Sequence, residues 1–472
     1  NPAPDTVRAF VYVPAPMTTP RTYHIWTIGC QMNEADSRRL AQQLEFAGYR
    51  PVEQADGADV VVLNTCVVRQ QAEDKAVSRL GALKAVKQAR PDLTVALMGC
   101  MVGMKEEPAL RKKFPYVDVF MPPSETAPLL DFLQSRGLFE EIRDAEARDR
   151  SVRDAVQDED LPLPARQQGA VLANVPVVLG CSHACTFCVI PYRRGAERSR
   201  PLADILTETR SLVAQGVREV MLLGQIVDRY GTDFSDGTDL SRLLREVAAI
   251  DGLARVRFLT SHPNYMTDAI LETVASTPKI CPQIEVPIQA GNDTVLENMR
   301  RGYTVQHYRE LVARIRAFMP DAAIHTDLIV GFPGETRAQF MDTHRLVEEL
   351  RFDKVHLSKY SERPKTIAQR KFPDDIAEEE KQERWQMIED LQAGILEEKN
   401  RLLRGQTVSV LVEDLFKGRW RGRTPHGKLV FFDGAPGLRG QEVAVTLDWT
   451  GPFSMIGRPA GAATREVPVM VV

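Results

Sequence analysis

Cys181, Cys185 and Cys188 stand in Gly180-Cys-Ser-His-Ala-Cys-Thr-Phe-Cys-Val-Ile-Pro191, a C-x3-C-x2-C spacing that crowds three thiolates onto one loop. No fourth cysteine lies close behind them. A structural zinc site closes its shell with four ligands, and a [4Fe–4S] cluster is usually held by four cysteines. Three would leave one iron without a protein ligand, and an open iron is where a substrate or cofactor binds. Zinc is the plainer alternative, with His183 as a fourth ligand. Lying between two of the cysteines, however, the imidazole is badly placed to complete a tetrahedron with all three.

Three more of the seven cysteines, Cys30, Cys66 and Cys100, each close a short apolar run: His24–Cys30, Val60–Cys66 and Thr94–Cys100. Runs of this kind bounded by turn residues predict buried parallel strands. The segments between them, about Asp36–Ala47 and Gln71–Gln88, predict crossover helices. Ligands of open α/β sheets gather at the carboxyl ends of the strands, so the three cysteines are expected to converge on a second cluster. Singly, each would read as a buried free thiol. Cys281 has no such company and reads as a core thiol.

The elements that must position these loops follow from composition. The chain has 472 residues, 43% of them hydrophobic, which predicts several domains. No apolar run approaches a membrane span, no signal peptide is evident, and an odd number of cysteines in ligand-like places predicts a reducing cytoplasm. The fold class expected is α/β. A Pro-rich arm covers residues 1–20, an N-terminal parallel α/β cluster domain 21–142, and a charged linker 143–168. Strand candidates at Val175–Leu179, Glu219–Leu223, Arg255–Thr260, Ile284–Ile288, Ile324–Val330 and Lys354–Ser358, separated by helix-length segments, predict a (β/α)6-type partial barrel over 169–403. The cysteine loop follows its first strand, at the face where barrel enzymes keep their chemistry. Asp374–Arg404 reads as a helix leading away from the barrel. Thr407–Val412, Lys428–Phe432 and Gln441–Asp448 alternate apolar and polar residues, predicting a small C-terminal β-barrel over 404–468. Between Arg404 and Arg458 eight Lys/Arg stand against five Asp/Glu, so this end carries +3 and the remainder −7 of the net −4.

With those residues in view, the cysteine loop closely resembles that of the radical S-adenosylmethionine (SAM) enzymes. Residues from about 21 to 458 resemble the tRNA methylthiotransferases, with an N-terminal cluster domain, a radical-SAM barrel and an RNA-binding β-barrel called TRAM. The MiaB branch is the most similar. Its motifs are matched by Gly29-Cys-Gln-Met-Asn33 with Asp36-Ser37, Asn64-Thr-Cys-Val-Val-Arg69, Gly99-Cys-Met101, Phe114-Pro-Tyr-Val-Asp118, Pro191-Tyr192, Arg194-Gly-Ala-Glu-Arg-Ser-Arg200, Val330-Gly-Phe-Pro-Gly-Glu335 and Gly422-Arg-Thr424. The chain departs from that branch at Ile226 and Asp228, where asparagines are expected, and at Glu362 and Lys365, where Pro and Gly are usual.

The resemblance implies two [4Fe–4S] clusters and SAM as cofactors. Cys181, Cys185 and Cys188 would hold the cluster whose open iron chelates SAM and whose electron cleaves it to a 5′-deoxyadenosyl radical. Cys30, Cys66 and Cys100 would hold an auxiliary cluster that presents sulfur. The product would be 2-methylthio-N6-isopentenyladenosine at position 37 of tRNA, with one SAM as methyl source and one as radical source. Polar residues at strand ends are the expected SAM contacts: Gln225, Ser261, Gln289 and Asp327, each of which could instead be an ordinary satisfied barrel residue. Gly331–Glu335 reads as a tight turn, because it lacks the Lys-Ser/Thr of a phosphate loop. Lys417-Gly-Arg-Trp-Arg-Gly-Arg423 interleaves cations with glycine and one aromatic ring, so Lys417, Arg419, Trp420, Arg421 and Arg423 are the expected RNA contacts; the plainer reading is a solvated hairpin turn. Partners implied are a tRNA anticodon loop and a low-potential electron donor such as a flavodoxin or ferredoxin, with no membrane, for a monomeric protein. Other readings are action on N6-threonylcarbamoyladenosine 37, action on a ribosomal protein side chain, and a non-catalytic iron–sulfur RNA-binding protein. The Gln31-Met32-Asn33 signature stands against the ribosomal-protein branch, which typically has Lys after its first cysteine.

Overall fold

Unbroken apolar runs become strands buried on both faces. In the structure, a computed structural model, β3 (Val60–Thr65) and β4 (Thr94–Gly99) are buried at every residue. They form the centre of a five-stranded parallel sheet with β1 (Thr22–Thr27), β2 (Arg50–Pro51) and β5 (Val119–Met121), in the order β2-β1-β3-β4-β5. Helices Gln31–Phe46 and Gln70–Ala89 cross between strands, and a separate apolar core lies on each face of the sheet. The structure describes residues 20–68, 70–105, 108–138 and 164–461. Residues 1–19 of the expected arm, 143–163 of the expected linker and the chain end beyond 461 lie outside them. Among the described residues no helix is long and apolar enough to cross a membrane.

The next sheet begins earlier than the apolar pattern suggested. Its first strand is β6 (Leu172–Pro176), while Val178–Leu179 forms β7, a small antiparallel pair with β8 (Arg198–Ser199). β6 is followed by β9 (Glu219–Leu223), β10 (Arg255–Leu259), β11 (Gln283–Glu285), β12 (Ala323–Val330) and β13 (Lys354–Lys359). The sheets β10-β9-β6 and β11-β12-β13 are all parallel and meet at a Val256–Ile280 bridge, so six strands make an open arc. β6 and β13 are its free edges. Helix Gln31–Phe46 packs along β6, and helix Glu378–Arg401 packs along β13. Arg38 on helix Gln31–Phe46 pairs with Glu208 behind β6, and Arg363, beyond β13, reaches Glu73 and Gln70 at 3.3 and 3.0 Å. Unpaired strand edges invite misassociation, and here a different helix covers each.

Helix Glu378–Arg401 does not lead away from the barrel. Ile388 and Ile395 bury in the barrel core, and Lys399 pairs with Asp353 at the start of β13 (2.7 Å). The expected helix leading away is held instead against the barrel, with three of its basic side chains, Lys381, Arg384 and Lys399, paired with Asp374, Glu335 and Asp353. The chain then closes a five-stranded barrel from β14 (Thr407–Phe416), β15 (Arg419–Arg423), β16 (Leu429–Phe432), β17 (Glu442–Thr450) and β18 (Met455–Pro459). It seats on the amino ends of β9 and β10. The Arg257 guanidinium donates to the Thr424 and Pro425 carbonyls (both 2.8 Å), and Arg255 to the Arg423 carbonyl (2.6 Å) and Glu442 (2.8 Å). This is the end opposite to the cysteine loop.

Candidate functional site

The cysteine loop is shaped by backbone before any ligand arrives. Gly180 has φ +72°, and a Cβ there would lie 2.2 Å from the Ala196 carbonyl oxygen; only glycine is tolerated. Cys181 N donates to Gly195 O (3.0 Å), and Thr186 is held through N and Oγ1 to the carbonyls of Met299 and Asn298 (3.1 and 2.8 Å). Burial pushes the Cys181 thiol up to about 11 and Cys188 up to about 12. Such groups stay protonated until a metal displaces the proton. The nearest cation is Arg301, itself 5% exposed, whose Nη1 donates to Cys185 Sγ at 3.2 Å. Three convergent soft donors beside one buried positive charge suit an anionic iron–sulfur cluster. Arg301 was not legible in the sequence: it follows its cysteine by 116 residues, in a segment with no motif of its own.

Cys30, Cys66 and Cys100 are brought together by the first sheet. Cys66 and Cys100 follow β3 and β4 directly, whereas Cys30 caps helix Gln31–Phe46 and donates through Sγ to Asn33 Oδ1 (3.4 Å). Asn33 and Asn64 exchange two hydrogen bonds (2.8 and 2.9 Å), which locks the helix start to the end of β3. Burial raises Cys100 to about 11, and its neighbours Arg194, Cys66 and Cys30 all act on it electrostatically. Arg194 comes from the segment after the other cysteine loop. It hydrogen-bonds Cys100 and stands 3.4 Å from Asp36. Arg363 lies near Cys66. The two cysteine loops also touch: Val189, next to Cys188, packs in the same core cluster as Cys100 and Met101. The donor set again suits an anionic cluster. Cys281 is buried apart from both loops, its thiol raised to about 11 chiefly by burial.

Above the loop opens a hollow of about 310 Å³ lined by Ser182, His183, Ala184, Arg229, Tyr265 and Arg300. His183 is bonded to Tyr265 Oη (3.1 Å) and packs at a tilt against the His262 ring, centroids 4.5 Å apart. Ile226 packs against Cys181 and Ile190, so the departure from asparagine makes an apolar wall beside the cysteines. The four strand-end residues come to the same end of the arc. Gln225 follows β9 and is half-buried; Ser261 follows β10, buried with no partner for Oγ; Gln289 is buried after β11 at φ +77°; Asp327 lies within β12. The Gly331–Glu335 turn is closed by the buried Glu335 carboxylate, which accepts from Gly331 N (2.8 Å) and from Arg384 (2.7 Å).

Asp228 is the second departure. Its carboxylate accepts from His262 N at 3.0 and 3.2 Å, yet burial raises it to about 7. Because only the unfolded chain ionises freely, Asp228 costs stability increasingly as pH rises from the ordinary carboxylate range through 7. Asp228→Asn should therefore raise the unfolding temperature more at pH 8.5 than at pH 5.5, with an upper bound of about 4 kcal/mol set by the shift to about 7. A gain independent of pH counts against this account.

The basic stretch of the C-terminal barrel is not a turn. Only Lys417 and Gly418, both at positive φ, make the hairpin; Arg419, Trp420, Arg421 and Arg423 stand in β15. Arg421 pairs with Asp414 (2.5 Å), Arg423 with Glu413 (2.5 Å) and Arg419 with Asp433 (3.5 Å), while Trp420 Nε1 donates to Ala435 O (2.9 Å). These partners partly neutralise the charge expected to face RNA.

Three family models match in succession: the Uncharacterized protein family UPF0004 over residues 22–122, the Radical SAM superfamily over 175–347 and the TRAM domain over 401–459. A tRNA-2-methylthio-N(6)-dimethylallyladenosine synthase of Roseiflexus sp. (strain RS-1) is 44% identical over 440 residues, 93% of this chain and 89% of that protein. One of the same description from Dehalococcoides mccartyi (strain CBDB1) is 43% identical over 433 residues, 92% and 97% of the two chains. Among solved structures, the radical S-adenosylmethionine methyltransferase TsrM from Kitasatospora setae, with cobalamin and a [4Fe–4S] cluster bound, superposes with a TM-score of 0.53. At 16% identity, covering 74% of this chain and 77% of that one, it shares the fold.

Proposed function

This chain belongs to the family of tRNA-2-methylthio-N(6)-dimethylallyladenosine synthases, and on that premise we infer that it places a methylthio group on carbon 2 of N6-isopentenyladenosine at position 37 of tRNA. Carbon 2 is an unactivated sp² position that no side-chain acid or base can functionalise, so cofactors must carry the hard chemistry. Those cofactors are two [4Fe–4S] clusters and SAM, which supply the radical, the sulfur and the methyl group. The chain's part is to hold, orient and exclude. In this reading Cys181, Cys185 and Cys188 ligate the SAM-binding cluster, and the Arg301 charge offsets their thiolates. Cys30, Cys66 and Cys100 ligate the auxiliary cluster, offset by Arg194 and Arg363. Gln225, Ser261, Gln289 and Asp327 offer polar contacts to SAM at the strand ends.

The observation that carries the proposal is the junction of the two three-cysteine loops, where Arg194 hydrogen-bonds Cys100 and Val189 joins the core cluster that holds Cys100. It supports a reading in which radical formation and sulfur delivery share one place, as a two-cluster reaction on a single base requires. We assign the work to domains 21–142, 169–403 and 404–468. The last of these contributes Lys417, Arg419, Trp420, Arg421 and Arg423 to tRNA binding, the ion-paired arginines exchanging their carboxylates for phosphates. That domain docks at the far end of the barrel strands, on the order of 20 Å away, so the RNA must extend along the barrel. A low-potential flavodoxin or ferredoxin supplies electrons to a monomeric, cytoplasmic enzyme.

The test offers two anticodon stem-loops, isopentenylated or threonylcarbamoylated at adenosine 37. An apolar wall gains about 0.8 kcal/mol per buried CH₂, so the prenylated loop should be turned over at least tenfold more efficiently. Equal or preferential turnover of the threonylcarbamoylated loop overturns the substrate assignment.

A further inference from the structure

Inside the arc, below the strand ends, three ligand-type side chains face one another. Strand alternation decides which way they point. Ile284, Val286, Ile324, Leu328 and Val355 all bury in the core between strands and helices. Glu285, His325 and His356, their neighbours in sequence, therefore project into the lumen. The register brings them together on three adjacent strands: Glu285 lies directly opposite His325, and His356 is opposite Asp327, one lumen position further on. One ligand atom from each lies within 4.8 Å of the others, and Glu285 Oε2 is 3.7 Å from His356 Nε2. The edge of a tetrahedron with bonds of about 2.1 Å is roughly 3.4 Å, so this pair is nearly at coordination distance already.

We propose that Glu285, His325 and His356 bind a zinc ion in the barrel lumen, a site separate from both cysteine loops. The surroundings hold the donors in place, as outer partners do at metal sites. Thr260 Oγ1 donates to Glu285 Oε1 (3.2 Å), leaving Oε2 for the ion, and Gln283 lies 3.4 Å from the His325 ring. Glu285 and His325 are both buried, and His356 is partly so. A buried carboxylate beside two imidazole rings is a donor set that a divalent cation would satisfy. Arg257, the nearest guanidinium of the lumen floor, is already engaged by Glu219 and the Thr424 and Pro425 carbonyls. Two imidazoles with one monodentate carboxylate leave an open fourth position, and this donor set suits zinc rather than magnesium or calcium, which prefer oxygen. The ion would staple β11, β12 and β13 together between the lumen levels of His325 and Asp327.

The experiment uses the anaerobically prepared holoprotein, equilibrated with micromolar zinc chloride and passed into zinc-free buffer. Elemental analysis should find one zinc in addition to the full iron content. Zinc-edge X-ray absorption should show only nitrogen and oxygen neighbours near 2.0–2.1 Å, without the sulfur shell at about 2.3 Å that zinc in a cysteine loop would give. His356→Phe, at the most exposed of the three positions, and the pair Glu285→Gln with His325→Gln should each lose most of the zinc while keeping parental iron. Absence of retained zinc in the parent, a sulfur shell, or undiminished zinc in the variants overturns the proposal. The spectrum of the parent decides the matter even where a variant fails to fold.

Discussion

Protein with Cys181, Cys185 and Cys188 changed to alanine and reconstituted anaerobically should hold about four irons, where the parent holds about eight, and should show no reductive cleavage of SAM. Changing Cys30, Cys66 and Cys100 should remove the other half of the iron and abolish methylthiolation, yet leave uncoupled SAM cleavage measurable. The asymmetry follows from the site. The first loop carries Arg301 and the strand-end residues beside it, whereas the second meets it at residues that follow Cys188, Val189 and Arg194 among them. Full iron in the second triple variant would return those cysteines to the role of core thiols, and the two-cluster account would fail.

The largest stability effect is expected at Arg384, which is 2% exposed and pairs with the equally buried Glu335 at 2.7 Å. Removing one partner of a buried pair leaves an uncompensated charge and typically costs about 3–5 kcal/mol. Arg384→Met should lower the urea midpoint accordingly, because Glu335 then keeps only the Gly331 amide. Adding Glu335→Gln should recover much of the loss, as the orphaned charge is gone. If the double variant is as unstable as the single one, the effect belongs to lost packing against Phe340 and not to the ion pair.

How much of this was legible in the sequence depends on the range of each interaction. Cys181, Cys185 and Cys188 share a loop whatever the fold, because seven or eight residues cannot carry them apart, so their joint chemistry is written in spacing alone. The parallel strands β3 and β4 were equally open to reading, since burial on both faces demands unbroken apolar runs. The order of an α/β domain, a six-strand arc and a small barrel follows from changes in periodicity along the chain. Charged residues are another matter. Nothing local distinguishes Arg301 or Arg194 from a solvated arginine, and nothing in Glu378–Arg401 announced that it folds back onto the barrel. The arginines of β15 read as free cations until Glu413, Asp414 and Asp433 were seen across from them. Glu285, His325 and His356 lie about thirty to forty residues apart and become one cluster only through strand register. Sequence by itself determined the apolar pattern, the cysteine loop and hence the class of chemistry. Tertiary structure alone decided which charges are paired, because a buried charge is tolerated only where a partner from another element meets it, and that meeting is a property of the packed fold.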